Sequence, residues 1–223
     1  MAGLFDIVGP VMVGPSSSHT AGAVRIGLLA RAIANAPIAH AELTLYNSFA
    51  QTYKGHGTDK GLIAGLLGFG VADSRIRDAE THAQAEGLGI SFVIDTSANH
   101  FPPNTVSILM TLADSSTCTV VGHSLGGGKV LVSKINQYSV SLKGEQPTLL
   151  LFYKDQPRMI AQVASRIGDA GINIATLQCV RLKRDIEATM VITLDDPLPA
   201  NALASVALID GVFWVRHLAA LPA

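Results

Sequence analysis

Ser16, Ser17, Ser18, His19 and Thr20 place four hydroxyls and an imidazole on consecutive residues. They fall where a helix should begin. Gly14 and Pro15 precede them, and from Ala21 apolar residues recur at helical spacing: Val24, Leu28 and Ala32, broadened by Ile26, Leu29 and Ile33. A helix N-terminus offers unpaired N–H groups and the positive end of the dipole, which suits a carboxylate or phosphate. The same field favours the neutral form of His19, which can accept a proton or coordinate an electrophile. A capped helix with a solvent-facing histidine fits the same residues.

A second polar cluster follows, Asn47-Ser48-Phe49-Ala50-Gln51-Thr52 and then Gly55-His56-Gly57-Thr58-Asp59-Lys60. Gly55 and Gly57 bracket His56 and let the backbone approach a ligand closely. Thr58 or Asp59 can cap the next helix. Two histidines at two helix starts form one wall of a polar cleft, or else two well-capped turns.

The elements that must position these residues can be read from pattern. A strand over Phe5–Val13 enters the serines, and a helix runs from Thr20 to Ala36, before Pro37. His40–Tyr46 alternates as a half-buried strand. A helix covers Lys60–Leu67, and a polar linker with a helix covers Asp73–Glu86. Ile90–Thr96 is a strand, and Asn99-His100-Phe101-Pro102-Pro103-Asn104 a proline-fixed turn. Strands at Thr105–Leu112, Thr117–Val121, Lys129–Ile135 and Tyr138–Lys143 form an antiparallel meander, with turns at Asp114-Ser115-Ser116 and Asn136-Gln137. This first region, residues 1–146, is α+β. The polar Lys143–Pro147 stretch sets a domain boundary. From 148 to 223 the order is strand Thr148–Tyr153, helix from Asp155-Gln156-Pro157 to Ala170, strands Ile172–Leu182 and Glu187–Leu194, helix Leu198–Ile209, and strand Val212–Leu218. That is a ferredoxin-like βαββαβ sandwich. The first helix of this region carries its apolar residues at Ile160, Val163, Ala164 and Ile167.

Composition narrows the function classes. The 223 residues are 48% hydrophobic and 15% charged, with net charge -1. No apolar run reaches the ~18 residues of a membrane span, so the excess apolar surface points to a subunit interface. No basic stripe favours nucleic acid. The start, MAGLFDIVGP, has no basic signal-peptide n-region, and a cytoplasmic protein is expected. Cys118 and Cys179 each lie in strand-like runs and read as buried core thiols. Two cysteines are too few for an iron–sulfur cluster, and no His/Asp/Glu spacing suggests a mononuclear metal site.

Gly122-His123-Ser124-Leu125-Gly126 matches the nucleophile elbow of serine hydrolases. An elbow leads into a helix, however, whereas Gly127-Gly128-Lys129-Val130-Leu131-Val132 reads as turn and strand. A glycine-rich tight bend near an interface is expected there instead. The spacing before Gly128-Lys129 is also wrong for a phosphate-binding P-loop. Lys54, Lys60 and Lys129 lack the surroundings of a pyridoxal-phosphate site.

Taken together, Gly14–Thr20, Asn47–Thr52, Gly55–Asp59, Pro103-Asn104-Thr105 and Gly126–Lys129 stand in the order seen in the beta subunit of iron–sulfur-dependent L-serine dehydratases. The chain resembles that family over essentially its whole length, and its C-terminal unit resembles an ACT domain. The resemblance implies an allosteric-substrate-binding-like first domain that packs against a separate alpha chain. It implies elimination of water from L-serine to give pyruvate and ammonia, within serine catabolism and gluconeogenesis. The electrophile would be a [4Fe-4S] cluster ligated by the alpha chain, with no metal held by this one. His19 and His56 would stand near the reacting centre. Ser16, Ser17, Ser18, Thr20, Asn47, Ser48, Thr58 and Asp59 would line the substrate site. The ACT domain would self-associate, and Asp155, Arg158 and Asn173 would mark its regulatory-ligand site. Arg158 stands where the family commonly has glycine, which shifts the expectation toward dimerisation. His123-Ser124-Leu125 also departs from the family's small or apolar residues. A stand-alone amino-acid-sensing ACT protein is the alternative.

Overall fold

The computed structural model describes residues 11–97 and 100–222. The chain divides into two compact units, Met1–Asn136 with Pro222–Ala223, and Gln137–Leu221. The expected Phe5–Val13 strand lies outside the described residues as far as residue 10, and Val11–Val13 are irregular. Asn99 is also outside them.

The first unit opens with a π-helical turn, Ser17–Ala21, which runs into α1, Gly22–Ala34. Periodicity predicts a single α-helix from Thr20 to Ala36. The turn is wider because Thr20 N and Ala21 N both donate to Ser16 O, and Gly22 N donates to Ser17 O. Asn35, at φ 48°, closes α1 in left-handed geometry. Then come β1 Ile38–Tyr46, α2 Asn47–Thr52, α3 Thr58–Leu67, a 3-10 turn Ser74–Asp78, α4 Ala79–Ala85 and β2 Gly89–Asp95. The Asn47–Thr52 stretch is thus a short helix, which its polar composition hides. α3 starts at Thr58 rather than Lys60, because Gly57 at φ 68° serves as its cap.

β3 Asn104–Leu112, β4 Thr117–Gly126 and β5 Lys129–Ile135 complete the unit. Its strands stand in the order β2-β1-β3-β4-β5. β1 pairs parallel with β2, and the other neighbours are antiparallel. β4 extends through the Gly122–Gly126 stretch, so the expected tight bend is confined to Gly127-Gly128, both at positive φ. Ser124 lies inside that strand at 6% exposure, and no elbow exists.

α1 and α3 run parallel and almost touch. A Cβ added to Gly65 would collide with Val24 O and lie 2.8 Å from Gly27 Cα. One added to Gly27 would lie 2.6 Å from Leu62 O. Against the sheet, α1 sets Ile26 over Gly122 and Gly22 over Ser124. Apolar residues of the helices and of β1, β3 and β4 fill the core, among them Ile26, Leu29, Leu43, Leu62, Ile108 and Met110.

The second unit contains β6 Tyr138–Leu142, β7 Thr148–Tyr153, α5 Met159–Asp169, β8 Ile174–Lys183, β9 Glu187–Leu194, α6 Ala200–Ala207 and β10 Val212–Leu218. From β7 onward the expected βαββαβ sequence is found, with an antiparallel sheet in the order β10-β7-β9-β8. α5 buries Met159, Val163 and Ile167, one face at i, i+4 and i+8. Ile160 is 50% exposed and does not belong to that stripe. Cys118 is buried, as expected, but Cys179 is exposed. β8 is an edge strand, so its alternation does not bring the thiol into the core.

The helix contact yields a test. Replacing a helical glycine by alanine gains up to ~1 kcal/mol in propensity, whereas forcing a methyl into close-packed backbone costs ~1–3 kcal/mol or more. Gly65→Ala should therefore lower the urea midpoint. Gly70→Ala, where a Cβ would meet nothing within 4 Å, should leave it nearly unchanged. Equal midpoints for the two variants would show that the helices can separate at little cost.

Candidate functional site

The π-helical turn carries His19, and the loop before α3 carries His56. Ser16 caps the turn, its Oγ accepting from His19 N at 3.1 Å. Thr20 is 1% exposed, and its hydroxyl donates to His56 O at 2.8 Å. Gly14, at φ 114°, gives Thr20 room: a Cβ there would lie 2.5 Å from its methyl. The two imidazoles consequently meet edge to face, with ring centroids 4.8 Å apart and planes at 82°.

His19 is held at both nitrogens. Nδ1 lies 3.0 Å from Ser18 Oγ and 3.4 Å from Ser16 Oγ, and Nε2 lies 3.0 Å from Ser48 Oγ. Buried Phe49 sets its ring 5.5 Å from that of His19. Burial, and then the neighbouring His56, push the His19 imidazole below its ordinary value of 6.5. A neutral imidazole flanked by hydroxyls can take either tautomer, because each hydroxyl both donates and accepts. It is therefore equipped to accept or return a proton in place.

Next to the Thr20–His56 hydrogen bond a cavity of about 260 Å³ is lined by Gly14, Thr20, Lys54, Gly55, Lys60 and Arg77, among others, but by neither imidazole and none of the serines. That volume lies below the ~300–1,000 Å³ of sites for drug-sized ligands, and three cationic side chains border it. It suits a small anionic or zwitterionic molecule.

The structure thus brings together Ser16, Ser18, His19, Ser48 and His56. Ser17 lies in the same turn, where its carbonyl accepts from Gly22 N. Thr20 lines the cavity with its hydroxyl already engaged. Asn47 faces elsewhere: its Nδ2 donates to Phe101 O at 2.7 Å and Pro102 O at 3.3 Å. Thr58 and Asp59 are 0% and 7% exposed in the first turn of α3. Asp59 accepts from Lys60 N at 2.8 Å, and burial pushes its carboxyl above the ordinary range. Thr58 Oγ1 is buried with no partner. Sequence reasoning gives Phe49, Lys54 and Lys60 a place in the second polar cluster but no individual role, and it misses Arg77. Phe49, Lys54 and Lys60 lie within or beside the two motifs, and that position is the only signal they carry.

In the second unit Asp155 and Arg158 line an open cleft of about 670 Å³ with Tyr153, Gln156, Cys179 and Arg181, among others. Asp155 Oδ2 is already paired with Arg181 Nε at 2.7 Å and accepts from Asp185 N at 2.9 Å. Asn173 is not among the lining residues and donates to Asp195 Oδ2 at 2.9 Å. Arg158 caps α5 at φ 74°, a left-handed position that favours glycine.

Comparison with known proteins gives a consistent picture. A family model described as serine dehydratase beta chain matches residues 3–89. The chain is 37% identical over 217 residues to the "Probable L-serine dehydratase, beta chain" of Bacillus subtilis, with 97% of each chain covered. It is 36% identical over 202 residues to the "L-serine dehydratase, beta chain" of Peptoniphilus asaccharolyticus, with 91% of each covered. Among solved structures, the ACT domain from the GTP pyrophosphokinase of Chlorobium tepidum matches 32% of this chain and 95% of its own. The identity is 18% and the TM-score 0.24, too loose a likeness to carry an argument.

The environment of His19 can be measured. Its imidazole should titrate below 6.5 by NMR, and His56→Ala should move that midpoint upward by removing the neighbour whose electrostatic influence lowers it. Folding lowers the proton affinity of His19, so stability should fall as the pH drops from 6.5 toward the folded midpoint and level off below it. A midpoint at or above 6.5 would contradict the buried, paired environment.

Proposed function

The chain belongs to the L-serine dehydratase beta-chain family, and from that premise we propose that it is the substrate-holding half of an L-serine ammonia-lyase whose alpha chain carries a [4Fe-4S] cluster. Among the described residues no three His, Cys, Asp or Glu side chains converge to hold a metal ion, and Cys118 and Cys179 lie in different units. On this reading the cluster's ligands come from the alpha chain. When bound, the cluster would supply a Lewis-acid iron for the departing hydroxyl.

The overall reaction removes the α-proton and the β-hydroxyl of L-serine as water. The resulting enamine tautomerises to an imine, and water converts that to pyruvate and ammonia. This chain's part is binding and proton handling. His19, Thr20 and Ala21 N already donate to Ser16, so the hydroxyls of Ser16–Ser18, at the positive end of the helix, receive the carboxylate. The adjacent Lys54, Lys60 and Arg77 make the cavity favourable for that charge. His19, neutral and held between Ser18 and Ser48, holds or moves a proton beside the substrate, with exposed His56 at its edge. The observation that carries this reading is the clamping of His19 at both nitrogens against His56.

A stand-alone ACT-type amino-acid sensor has less support, because Asp155 and Asn173 are already paired within their own unit. The test is anaerobic co-purification of this chain with a cluster-bearing alpha chain. The complex should convert L-serine to pyruvate, and the lone chain should not. His19→Ala in the complex should lower kcat/KM by at least ~100-fold, the lower end for loss of a positioned acid–base group. Ser124→Ala should retain turnover. Saturable amino-acid binding by the lone chain, with no lyase activity in any complex, would favour the sensor instead.

A further inference from the structure

We propose that His123 is a positioning residue for the candidate site, acting through Thr105 and the 101–103 loop on Ser48 and thereby on His19. The inference rests on the reading that His19 and Ser48 belong to the active site.

His123 lies in β4 at 4% exposure. Its neighbours Gly122 and Ser124 face Ile26 and Gly22 of α1, so strand alternation directs His123 to the opposite face of the sheet. There both ring nitrogens are engaged. Nδ1 lies 2.7 Å from Thr105 Oγ1, and Nε2 lies 2.6 Å from Ser133 Oγ. The direction of each bond can be deduced. Thr105 gives its single hydroxyl proton to Pro102 O at 2.8 Å, so toward His123 it can only accept, and Nδ1 must carry a proton. Burial also pushes this imidazole below its ordinary value. The neutral ring then has an unprotonated Nε2, which accepts from Ser133.

Thr105 is one of three residues, with Asn47 and Ser48, whose hydrogen bonds fix the 101–103 loop. Pro102 and Pro103 lack N–H groups, so the loop attaches to its surroundings by its carbonyls. Phe101 O and Pro102 O accept from Asn47 Nδ2, Pro102 O also accepts from Thr105, and Pro103 O accepts from Ser48 N at 2.8 Å. Asn47 holds φ 51°, a conformation that costs ~1 kcal/mol or more and needs such an anchor. Ser48 emerges from this anchored turn and places its Oγ 3.0 Å from His19 Nε2. The chain of contacts thus runs from Ser133 through His123, Thr105 and the loop to Ser48 and His19. An ordinary buried histidine would need its two bonds satisfied but would have no consequence at the end of that chain.

The test separates the two nitrogens. Asparagine places its amide N–H near the Nδ1 position, and glutamine places its amide near Nε2. In the complex with the alpha chain, His123→Asn should retain kcat within about threefold. His123→Gln and His123→Leu should lower kcat by about tenfold or more, since small displacements of reacting groups cost up to ~100-fold. Thr105→Ser should behave as wild type and Thr105→Val as His123→Leu, which keeps the test available if His123→Leu does not fold. On a Ser48→Ala background, His123→Leu should cost less than about twofold, because the two act through one contact. Equal activities for the Asn and Gln variants, or additive losses with Ser48→Ala, would overturn the proposal. His19→Ala serves as the reference. If it abolishes turnover while every His123 variant is normal, this inference alone fails. If it leaves turnover intact, the assignment of the site fails first.

Discussion

The contact between α1 and α3 governs this site. Two helices can approach this closely only where hydrogen replaces a side chain, and Gly27, Gly61 and Gly65 provide that along the seam. The helices are parallel because β1 returns the chain to its starting end between them. Both N-termini therefore lie together, with His19 in the turn before α1 and His56 in the loop before α3. The Thr20–His56 hydrogen bond ties the two starts at the point where the helices emerge. At the other end, Arg31 Nη1 donates to Leu66 O at 2.8 Å, a cation at the negative ends of both dipoles.

This arrangement has an electrostatic consequence. Parallel dipoles side by side repel, so adjoining N-termini are unfavourable unless something negative faces them. No acidic residue lies in the first turn of α1, and in α3 the acid is Asp59, 7% exposed. Among the described residues, Lys54, Lys60 and Arg77 border the cavity at this junction and add positive charge to it. An imidazole placed there loses affinity for its proton, beyond the lowering that burial and then His56 already impose on His19. A site of this kind attracts a carboxylate and holds a neutral base beside it without further devices.

Much of this was legible in the sequence. The apolar periodicity of Val24 to Ile33 and the alternation of Ala41, Leu43 and Leu45 gave α1 and β1. The βαββαβ order from β7 onward followed from equally regular patterns. The pairing of His19 with Ser18 could be anticipated from adjacency alone. What escaped was non-local. Ser48 reaches His19 only because Asn47 takes a left-handed turn, and nothing in Asn-Ser-Phe-Ala announces a helix there. Thr58 and Asp59 resemble exposed caps, but Gly57 took that role and both residues were drawn inward. The π-helical turn depends on two N–H groups sharing one carbonyl, which no periodicity encodes. Cys179 looked buried because alternation gives the face of a strand but not whether that strand lies at an edge.

The second unit shows how a familiar pattern can be altered by a single position. At Arg158 the backbone is left-handed, as a glycine would readily allow, yet the residue carries a long cationic side chain on the wall of the cleft. Asp155, across the same cleft, is held by Arg181 and by Asp185 N. A zwitterionic amino acid entering there would need its ammonium to displace Arg181 from Asp155, exchanging one charge pair for another in a solvent-open cleft where such pairs contribute ~1 kcal/mol or less. The net gain available to that ligand is therefore small. The polar junction of the first unit differs in this respect: the first turn of α1 holds no acid, and the one acid in the first turn of α3, Asp59, is buried. Among the described residues, that junction is the place where binding a small carboxylate would relieve an unfavourable charge arrangement rather than replace a favourable one.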